Sequence, residues 1–345
     1  MAEIAEKLLN WYDRERRHLP WRAEPGQHAE PYHVWLSEVM LQQTTVATVK
    51  SYFEKFLKKW PDVSALASAP QEDVLREWAG LGYYARARNL HKCAQTVATD
   101  LSGKFPATEV ELRKLPGIGD YTAAAIAAIA FNEPATVVDG NIERVVSRLF
   151  RIEEQLPAAK KPIKSATATI TPQKRPGDFA QAMMDLGASI CTPKAPKCLL
   201  CPISNGCKAL QSGDMERFPI KAPKKVKPTR RAISFWLEHD DHVLLERRPA
   251  KGLLGGMPGF FSTEWIARPD FPEQSAAFEQ SPATADWQID DAIAKHTFTH
   301  FHLETRLAIA AASTRLNVEN GFWVPIADLP TVGLPTVFSK ITALR

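Results

Sequence analysis

Apolar residues recur at helical spacing through the first 190 residues of the chain. Pro and Gly separate these segments, and none of them alternates between apolar and polar positions as a half-buried strand does. The pattern therefore predicts an all-α first domain. The predicted helical segments are VWLSEVMLQQ (34–43), VATVKSYFEKFLKKW (46–60), ARNLHKCAQTVATDL (87–101), YTAAAIAAIAF (121–131) and NIERVVSRLF (141–150).

The pattern changes after residue 231. Residues 232–249 predict two strands around a charged turn, and residues 296–312 contain alternating polar and apolar positions, so the second domain is predicted to be α+β. Residues 218–231 between them hold six basic and no acidic side chains, with three prolines, which indicates an extended linker. The predicted organisation is therefore a domain at 1–217, a basic linker at 218–231 and a second domain at 232–345. The linker's charge suits a phosphate backbone, and a solvated tether explains it equally well.

Composition and segment lengths argue against a secreted protein and a membrane protein. The amino-terminal residues mix acidic and basic side chains without an apolar core, so they indicate neither a signal peptide nor a transit peptide. The longest apolar run, at residues 121–131, is too short to cross a bilayer, so no membrane association is expected. We therefore expect a cytoplasmic protein, in which thiols stay reduced and clustered cysteines hold metal rather than form disulfides.

Four of the five cysteines lie within seventeen residues, in the spacing C-x6-C-x2-C-x5-C. Four thiolates from one short loop can surround an iron-sulfur cluster, whereas structural zinc more commonly uses two separated C-x2-C pairs. Zinc stays open on spacing alone. The four residues are Cys191, Cys198, Cys201 and Cys207.

Three further motifs carry candidate chemistry. In LPGIGD (115–120), glycines precede a helix, which allows close approach of backbone amides to a phosphate but also occurs in ordinary helix-helix turns. Asp139 lies at an Asp-Gly turn, where its side chain either only stabilises the turn or takes part in catalysis. Glu38 lies among apolar residues, where it either forms the exposed stripe of an amphipathic helix or is a buried functional acid.

Taken together, these motifs resemble those of a known group of enzymes. The cysteine spacing, the L-P-G-x-G hairpin and VVDGN (137–141) resemble the endonuclease III superfamily of helix-hairpin-helix DNA base-excision enzymes. SEVMLQQT (37–44) and GLGYYARARNLHK (80–92) are similar to the MutY family of adenine DNA glycosylases within it. HTFTHFHLE (296–304) and GLLGGMPGFF (252–261) resemble the MutT-like, Nudix-fold second domain of that family. The lack of a presequence fits a bacterial source.

The resemblance implies the reaction and its catalytic groups. Adenine is released by hydrolysis of its N-glycosidic bond, which requires one carboxyl that is protonated and one that is ionised. Glu38 is implied to protonate the adenine, and Asp139 to stabilise the oxocarbenium-like sugar. Tyr121 and Asn141 border and orient this pair. The four cysteines are implied to bind a 4Fe-4S cluster.

The resemblance also implies the partner, double-stranded DNA in which adenine lies opposite 8-oxoguanine or guanine. The chain is expected to act as a monomer, with other repair proteins as possible partners. Because the base must leave the stack, specific side chains are expected to contact it and the DNA around it. The implied adenine contacts are Arg17 and Gln181. The implied DNA contacts are Gln43, Thr44, Leu81, Tyr83, Gly117, Gly119, Phe298, Thr299 and His300.

Two alternative functions are distinguishable from this one. A bifunctional glycosylase and lyase of the endonuclease III type carries a lysine where this chain has Tyr121, so its Schiff-base chemistry is not expected here. A non-enzymatic iron-sulfur DNA-binding protein would have no need of both Glu38 and Asp139. In the second domain, Thr299 replaces a serine that the family uses. The sequence of this domain lacks the array of glutamates typical of a nucleotide hydrolase, so hydrolysis of nucleotides is not expected.

Overall fold

A computed structural model of the chain describes residues 2–24, 27–223 and 226–345. Lys224 and Lys225, part of the predicted linker, lie outside the described residues. The described residues form two compact units: residues up to Ser68 together with Asn89 to residue 223, and Ala69–Arg88 together with residue 226 onward. The predicted boundaries at residues 217 and 232 stay predictions.

The first unit is helical, as the periodicity predicts. The helices of the chain, in order, are α1 (Ala2–Glu15), α2 (Pro31–Leu41), α3 (Val46–Lys59), α4 (Val63–Ser68), α5 (Gln71–Glu77), α6 (Ala85–Asp100), α7 (Glu109–Leu112), α8 (Asp120–Phe131), α9 (Gly140–Phe150), α10 (Lys160–Ile170), α11 (Pro176–Ser189), α12 (Lys208–Gln211), α13 (Gln274–Phe278) and α14 (Thr336–Thr342). Short 3-10 helices lie at Cys198–Leu200, Ser204–Gly206, Met215–Arg217 and Ile326–Thr331.

The centre of the first unit is formed by α2, α8, α9 and α11, which pack against one another. Helix α8 is rich in alanine, and its residues Thr122–Ala128 are all buried. Small side chains let the neighbouring backbones come close, and a Cβ at Gly177 of α11 would collide with the carbonyl oxygen of Ala128. Helix α8 thus packs against both α2 and α11, and α9 packs against α11.

The second unit contains one mixed sheet. Its strands are β1 (Thr229–His239), β2 (His242–Arg247), β3 (Pro258–Gly259), β4 (Ile266–Ala267), β5 (Gln288–Ile289), β6 (Ala294–Thr297), β7 (His302–Ala311) and β8 (Gly321–Pro325). The main order is β3-β2-β1-β7-β5, with β4 paired to β1, β6 to β7 and β8 to β2. Strands β1 and β7 are parallel, and the other pairs are antiparallel.

Both faces of this sheet are covered. Along β1, Ala232 and Trp236 belong to one apolar cluster, and Ile233 and Phe235 belong to another. Because successive side chains of a strand point to opposite faces, β1 is buried on both sides. The predicted α+β second domain and the strands at 232–249 and 296–312 are thereby confirmed.

Both ends of the predicted linker are structured. Phe218 is buried, and the Leu156 amide donates to the Ile220 carbonyl oxygen at 2.8 Å in the first unit. At the other end, Thr229 already pairs with His302 as part of β1. The extended part of the segment is therefore shorter than its composition predicts.

No helix among the described residues combines the length and the apolar character needed to cross a membrane.

Candidate active site

Glu38 is a buried carboxyl on the central helix α2, with only 5% of its surface exposed. Most residues of α2 are buried, on every side of the helix, so it has no exposed stripe on which a glutamate could lie. The alternative of a solvated amphipathic face is therefore wrong for this residue. A carboxyl in this position must be hydrogen-bonded or neutral.

Tyr121 supplies that hydrogen bond. Its hydroxyl donates to Glu38 Oε2 at 2.6 Å from the first turn of α8. Burial raises the pKa of Tyr121 well above its ordinary value, so the phenol keeps its proton and remains a donor. Helices α2 and α8 are joined again nearby, where Gln42 Nε2 donates to Thr122 Oγ1 at 3.1 Å. Glu38 is thus held in one orientation.

The environment raises the pKa of Glu38 to about 7. Burial is the largest cause, because it penalises the charged form, and the charge of Asp139 adds to it. The hydrogen bond from Tyr121 and the positive charge of Arg22 act in the opposite direction. A carboxyl with this pKa holds its proton near neutral pH and can also release it.

Asp139 is the second carboxyl, and it caps the amino terminus of α9. Its Oδ1 accepts from the Ile142 amide at 2.7 Å, and its Oδ2 accepts from Asn141 Nδ2 at 2.9 Å. Burial raises the pKa of Asp139 above its ordinary value, while these two donors lower it. Hydrogen bonds that a carboxylate accepts favour the ionised form, so of the two acids Asp139 is the better anion and Glu38 the better proton donor.

Asn141 is oriented by a second partner. Arg144 Nη2 donates to Asn141 Oδ1 at 3.0 Å and to the Gly187 carbonyl oxygen of α11 at 2.6 Å, and Arg144 Nε donates to the Cys191 carbonyl oxygen at 2.8 Å. The amide oxygen of Asn141 therefore faces arginine and its nitrogen faces Asp139. The four predicted catalytic residues, Glu38, Tyr121, Asp139 and Asn141, lie in one region of the first unit.

The two predicted adenine contacts lie around a buried carboxylate that the sequence did not single out. Asp185 of α11 is fully buried, accepts from Arg17 Nε at 2.6 Å, and accepts two bonds from the guanidinium of Arg22, at 2.7 and 2.8 Å. Gln181 lies one turn earlier on the same helix, with Nε2 3.4 Å from the Gly177 carbonyl oxygen. Burial raises the pKa of Asp185, but the hydrogen bond and the charge of Arg22 outweigh burial and hold the pKa below its ordinary value.

Arg22 and Asp185 are thus site residues that sequence reasoning missed. Gln181 and Asp185 are four residues apart on a helix, a spacing that places both on one face, and this signal could have pointed to the carboxylate. Nothing in the pattern around Arg22 distinguishes it from other basic residues near the amino terminus.

The glycine hairpin before α8 has two different glycines. Gly117 has φ +75°, and a Cβ there would lie 2.6 Å from Asn89 Cβ, so both its conformation and its packing require glycine. Gly119 caps α8 without a side chain and has open space where a Cβ would lie. The first amides of α8 are therefore not covered by a side chain of the cap, which is compatible with an approaching anion.

The four cysteines of the loop line one pocket in the first unit. Arg148 lies beside it, with Nη1 3.3 Å from Cys191 Sγ, and its guanidinium donates to the backbone carbonyls of Thr192 and Pro193 in the loop. Across residues 2–24, 27–223 and 226–345, no three or more His, Cys, Asp or Glu side chains are close enough to hold a single metal ion.

The residues predicted to contact DNA are distributed over both units. In the first unit, Gln43 is exposed and has φ +60°, and Thr44 follows it. In the second unit, Tyr83 is half exposed and has φ +49°. A positive φ is uncommon for residues other than glycine, and such residues concentrate at functional sites.

The second unit brings Tyr83 together with the predicted 8-oxoguanine contact. The hydroxyls of Tyr83 and Thr299 share a hydrogen bond of 2.9 Å. Thr299 and His300 are exposed, whereas Phe298 stacks on Phe301 with ring centroids 4.7 Å apart. Leu81 is buried, so a DNA contact through its side chain requires it to move, and the assignment stays a prediction.

Comparisons with known proteins agree with this architecture. The HhH-GPD superfamily of base excision DNA repair proteins matches residues 36–172, and the NUDIX domain family matches residues 233–344. Among solved structures, a thermostable thymine-DNA glycosylase is 30% identical with a TM-score of 0.54, covering 60% of this chain and 95% of that one. A trapped endonuclease III–DNA covalent intermediate, 23% identical with a TM-score of 0.51, shares the fold over 61% of this chain and 95% of that one.

Curated relatives extend the likeness to both units. The human adenine DNA glycosylase is 34% identical over 97% of this chain and 72% of its own length. The adenine DNA glycosylase of Buchnera aphidicola subsp. Baizongia pistaciae is 33% identical over 97% of this chain and 95% of its own. That of Schizosaccharomyces pombe is 32% identical over 97% and 87%.

Proposed function

The chain belongs to the adenine DNA glycosylase family, and from that premise we propose that it removes adenine mispaired with 8-oxoguanine or guanine in double-stranded DNA. It is a DNA glycosylase of base excision repair. The observation that carries the assignment of its catalytic groups is the pair of carboxyls, the buried Glu38 and the half-buried Asp139, with different hydrogen-bond partners.

Glu38 is proposed to be the general acid. With a pKa of about 7, it is substantially protonated at neutral pH and can transfer the proton to a ring nitrogen of adenine, N7. The bond between C1′ and N9 then breaks, and its electron pair leaves with the neutral base. Tyr121 holds the carboxyl in place, and after base departure Glu38 can accept a proton from the attacking water.

Asp139 is proposed to balance the positive charge on the sugar. As C1′ loses the base, an oxocarbenium-like cation develops, and a nearby carboxylate stabilises it electrostatically or by a transient bond. The Ile142 amide and Asn141 favour the ionised form of Asp139. Water completes the reaction at C1′, and the products are free adenine and an abasic deoxyribose.

The adenine must leave the duplex before either carboxyl can reach it. We propose that Gln43 and Tyr83, with Thr44 and Leu81 beside them, occupy the space around the opposing base. Arg17 and Gln181 line the adenine site, and the hairpin glycines Gly117 and Gly119 approach the phosphate backbone. In the second unit, Phe298, Thr299 and His300 form the turn that reads 8-oxoguanine. The enzyme is proposed to work as a monomer.

We propose that Cys191, Cys198, Cys201 and Cys207 hold a 4Fe-4S cluster. In a four-iron cluster each thiolate binds a different iron, and the four cysteines come from one short loop and line one pocket. When bound, such a cluster would hold the four cysteines together and so stabilise the loop.

The proposed reaction is tested by product analysis. Excess protein is mixed with duplexes that carry adenine opposite 8-oxoguanine, guanine or thymine, and free adenine and strand breaks are measured separately. We expect adenine release from the first two substrates and intact strands until alkali is added. Efficient trapping of a protein–DNA adduct by borohydride would instead identify a Schiff-base lyase, and release of no base would leave only a DNA-binding protein.

A further inference from the structure

The carboxyl-terminal half of the linker, residues 226–231, contacts the second unit and is called the clamp segment below. Lys227 and Arg230 contact the turn at 298–301, and the Arg230 guanidinium lies 4.2 Å from the centroid of its last aromatic ring. Arg231 pairs with a glutamate of β7 at 3.0 Å. Most of the basic linker side chains that the structure describes therefore already contact other parts of the protein. Binding to a phosphate backbone is not needed to explain their charge.

The turn at 298–301, called the reading turn below, connects β6 to β7. Thr297 and His302 pair across its base, and the Phe298 amide donates to the Phe301 carbonyl oxygen at 2.9 Å. Thr299 and its neighbour at the apex are exposed. The apex is thus the part of the turn that is available to a base, and the residues at its ends are the ones that fix its position.

The clamp segment holds both ends of the reading turn. Lys227 Nζ donates to the Phe298 carbonyl oxygen at 2.9 Å, and the His302 amide donates to the Pro228 carbonyl oxygen, also at 2.9 Å. Strand β1 begins directly afterwards and runs parallel to β7 from the same level. The ammonium contact is charge-assisted and therefore stronger than a neutral hydrogen bond.

We propose that the clamp segment positions the reading turn and thereby sets the preference for 8-oxoguanine over guanine opposite adenine, with Lys227 as its positioning residue. This proposal rests on the proposed function. The two purines differ at N7 and C8, where 8-oxoguanine has an N–H donor and a carbonyl and guanine has a lone acceptor. Discriminating them requires a polar group held in place, because a loosely held hydroxyl adapts to either edge.

The experiment compares Lys227→Met and Lys227→Arg with wild type, using Lys221→Met as a matched control. Lys221 lies in the same linker and its replacement removes the same charge, but its side chain is exposed. Affinity and single-turnover adenine release are measured on adenine:8-oxoguanine and adenine:guanine duplexes at several salt concentrations. Hydrogen exchange of peptides covering the reading turn is measured on the free proteins.

We expect Lys227→Met to reduce the affinity preference for 8-oxoguanine by about tenfold, the size of one charge-assisted hydrogen bond. Binding to the adenine:guanine duplex and the salt dependence should match those of Lys221→Met. Lys227→Arg should restore much of the preference, since a guanidinium can donate to the same carbonyl. Amides of the reading turn should exchange faster in Lys227→Met alone.

Two outcomes would overturn the proposal. If Lys227→Met weakens both duplexes equally and lowers the slope of log K against log salt by about one, Lys227 contacts a phosphate instead. If exchange in the reading turn is unchanged, Lys227 does not hold it. A wild-type protein without any preference for 8-oxoguanine would contradict the proposed specificity itself, and the exchange data would separate that failure from a failure of the clamp.

Discussion

At the scale of single residues, the hydrogen bond from Tyr121 sets the pH at which Glu38 can act as an acid. The bond stabilises the carboxylate and so opposes the rise in pKa that burial causes. Asp139 acts in the other direction because its negative charge disfavours a second one nearby. The protonation state of Glu38 is therefore set by burial together with two neighbours, Tyr121 and Asp139, and each neighbour can be changed separately.

Tyr121→Phe should shift the pH dependence of adenine release to higher pH. In wild type the rate falls as pH rises through about 7, because Glu38 loses the proton it must donate. Without the phenol the carboxylate loses its donor, the pKa of Glu38 rises, and the fall comes later. Tyr32→Phe is the control: it also removes a buried phenol, which donates to the Trp60 carbonyl oxygen, but should leave the profile unchanged. The measurement is single-turnover release across pH, and an unshifted Tyr121→Phe profile would contradict the account.

Asp185→Asn should destabilise the protein strongly. The substitution leaves Arg22, which is almost fully buried, without its carboxylate, and removing one partner of a buried ion pair costs about 3 kcal/mol or more. Asp13→Asn, which breaks the exposed pair with Arg175, should cost less than about 1 kcal/mol. Urea unfolding of both variants compares the two losses. Equal losses of unfolding free energy would mean that Asp185 does not hold its arginine partners in place beside the proposed adenine site.

The roles of Glu38 and Asp139 were predictable only through the resemblance. Periodicity alone places Glu38 on an exposed helical face, and only the packing of α8 against α2 buries it. Asp185 was not identified from the sequence, since its two arginine partners lie about 165 residues away along the chain. Local pattern identifies helices and caps, but a buried ion cluster depends on contacts between distant segments.

At the scale of elements, the helix-hairpin before α8 depends on glycine for two physical reasons. The left-handed backbone at Gly117 and the approach of α6 both exclude a side chain, whereas a Cβ at Gly119 would meet no neighbouring atom. The sequence predicted this hairpin and the helix after it, but it did not distinguish the two glycines, because φ and the neighbour Asn89 are not visible in the pattern.

Gly117→Ala and Gly119→Ala should therefore behave differently. Gly117→Ala adds a Cβ in a left-handed conformation and against Asn89, and should cost about 2 kcal/mol or more of unfolding free energy. Gly119→Ala has space and an ordinary φ, so it should cost less than about 1 kcal/mol. Thermal unfolding measures the difference, and DNA affinity of the stable Gly119→Ala tests the phosphate contact. Similar stability of the two variants would contradict the hairpin geometry.

At the scale of the whole molecule, the two units have separate cores, and the chain does not divide at a single point. Residues 69–88, which contain Tyr83, group with the second unit although they lie within the first domain in sequence. Composition predicted a basic linker after residue 217 but not this grouping, because hydrophobic periodicity carries no information about which core a helix joins. The order of the strands in the sheet was beyond prediction for the same reason.

Cys201→Ser should loosen the first unit without affecting the second. Loss of one thiolate should abolish the bound iron, measured by elemental analysis, and free the loop that Arg148 holds. Hydrogen exchange should then rise across residues 191–218 and stay unchanged across β1 and β2. Cys93→Ser is the control, since Cys93 lies outside the cysteine loop, and it should retain its iron. Iron retained by Cys201→Ser would contradict the proposed cluster ligands.

The most direct test of the central claim is the rate at which Glu38→Gln releases adenine once the variant is fully bound to an adenine:8-oxoguanine duplex. Glutamine keeps the size of the side chain and can accept the Tyr121 hydroxyl, but it has no acidic proton to give. We predict a loss of about 10³-fold or more in the single-turnover rate, with little change in affinity, as expected for a general acid. A bound Glu38→Gln enzyme that released adenine within about tenfold of the wild-type rate would contradict the account.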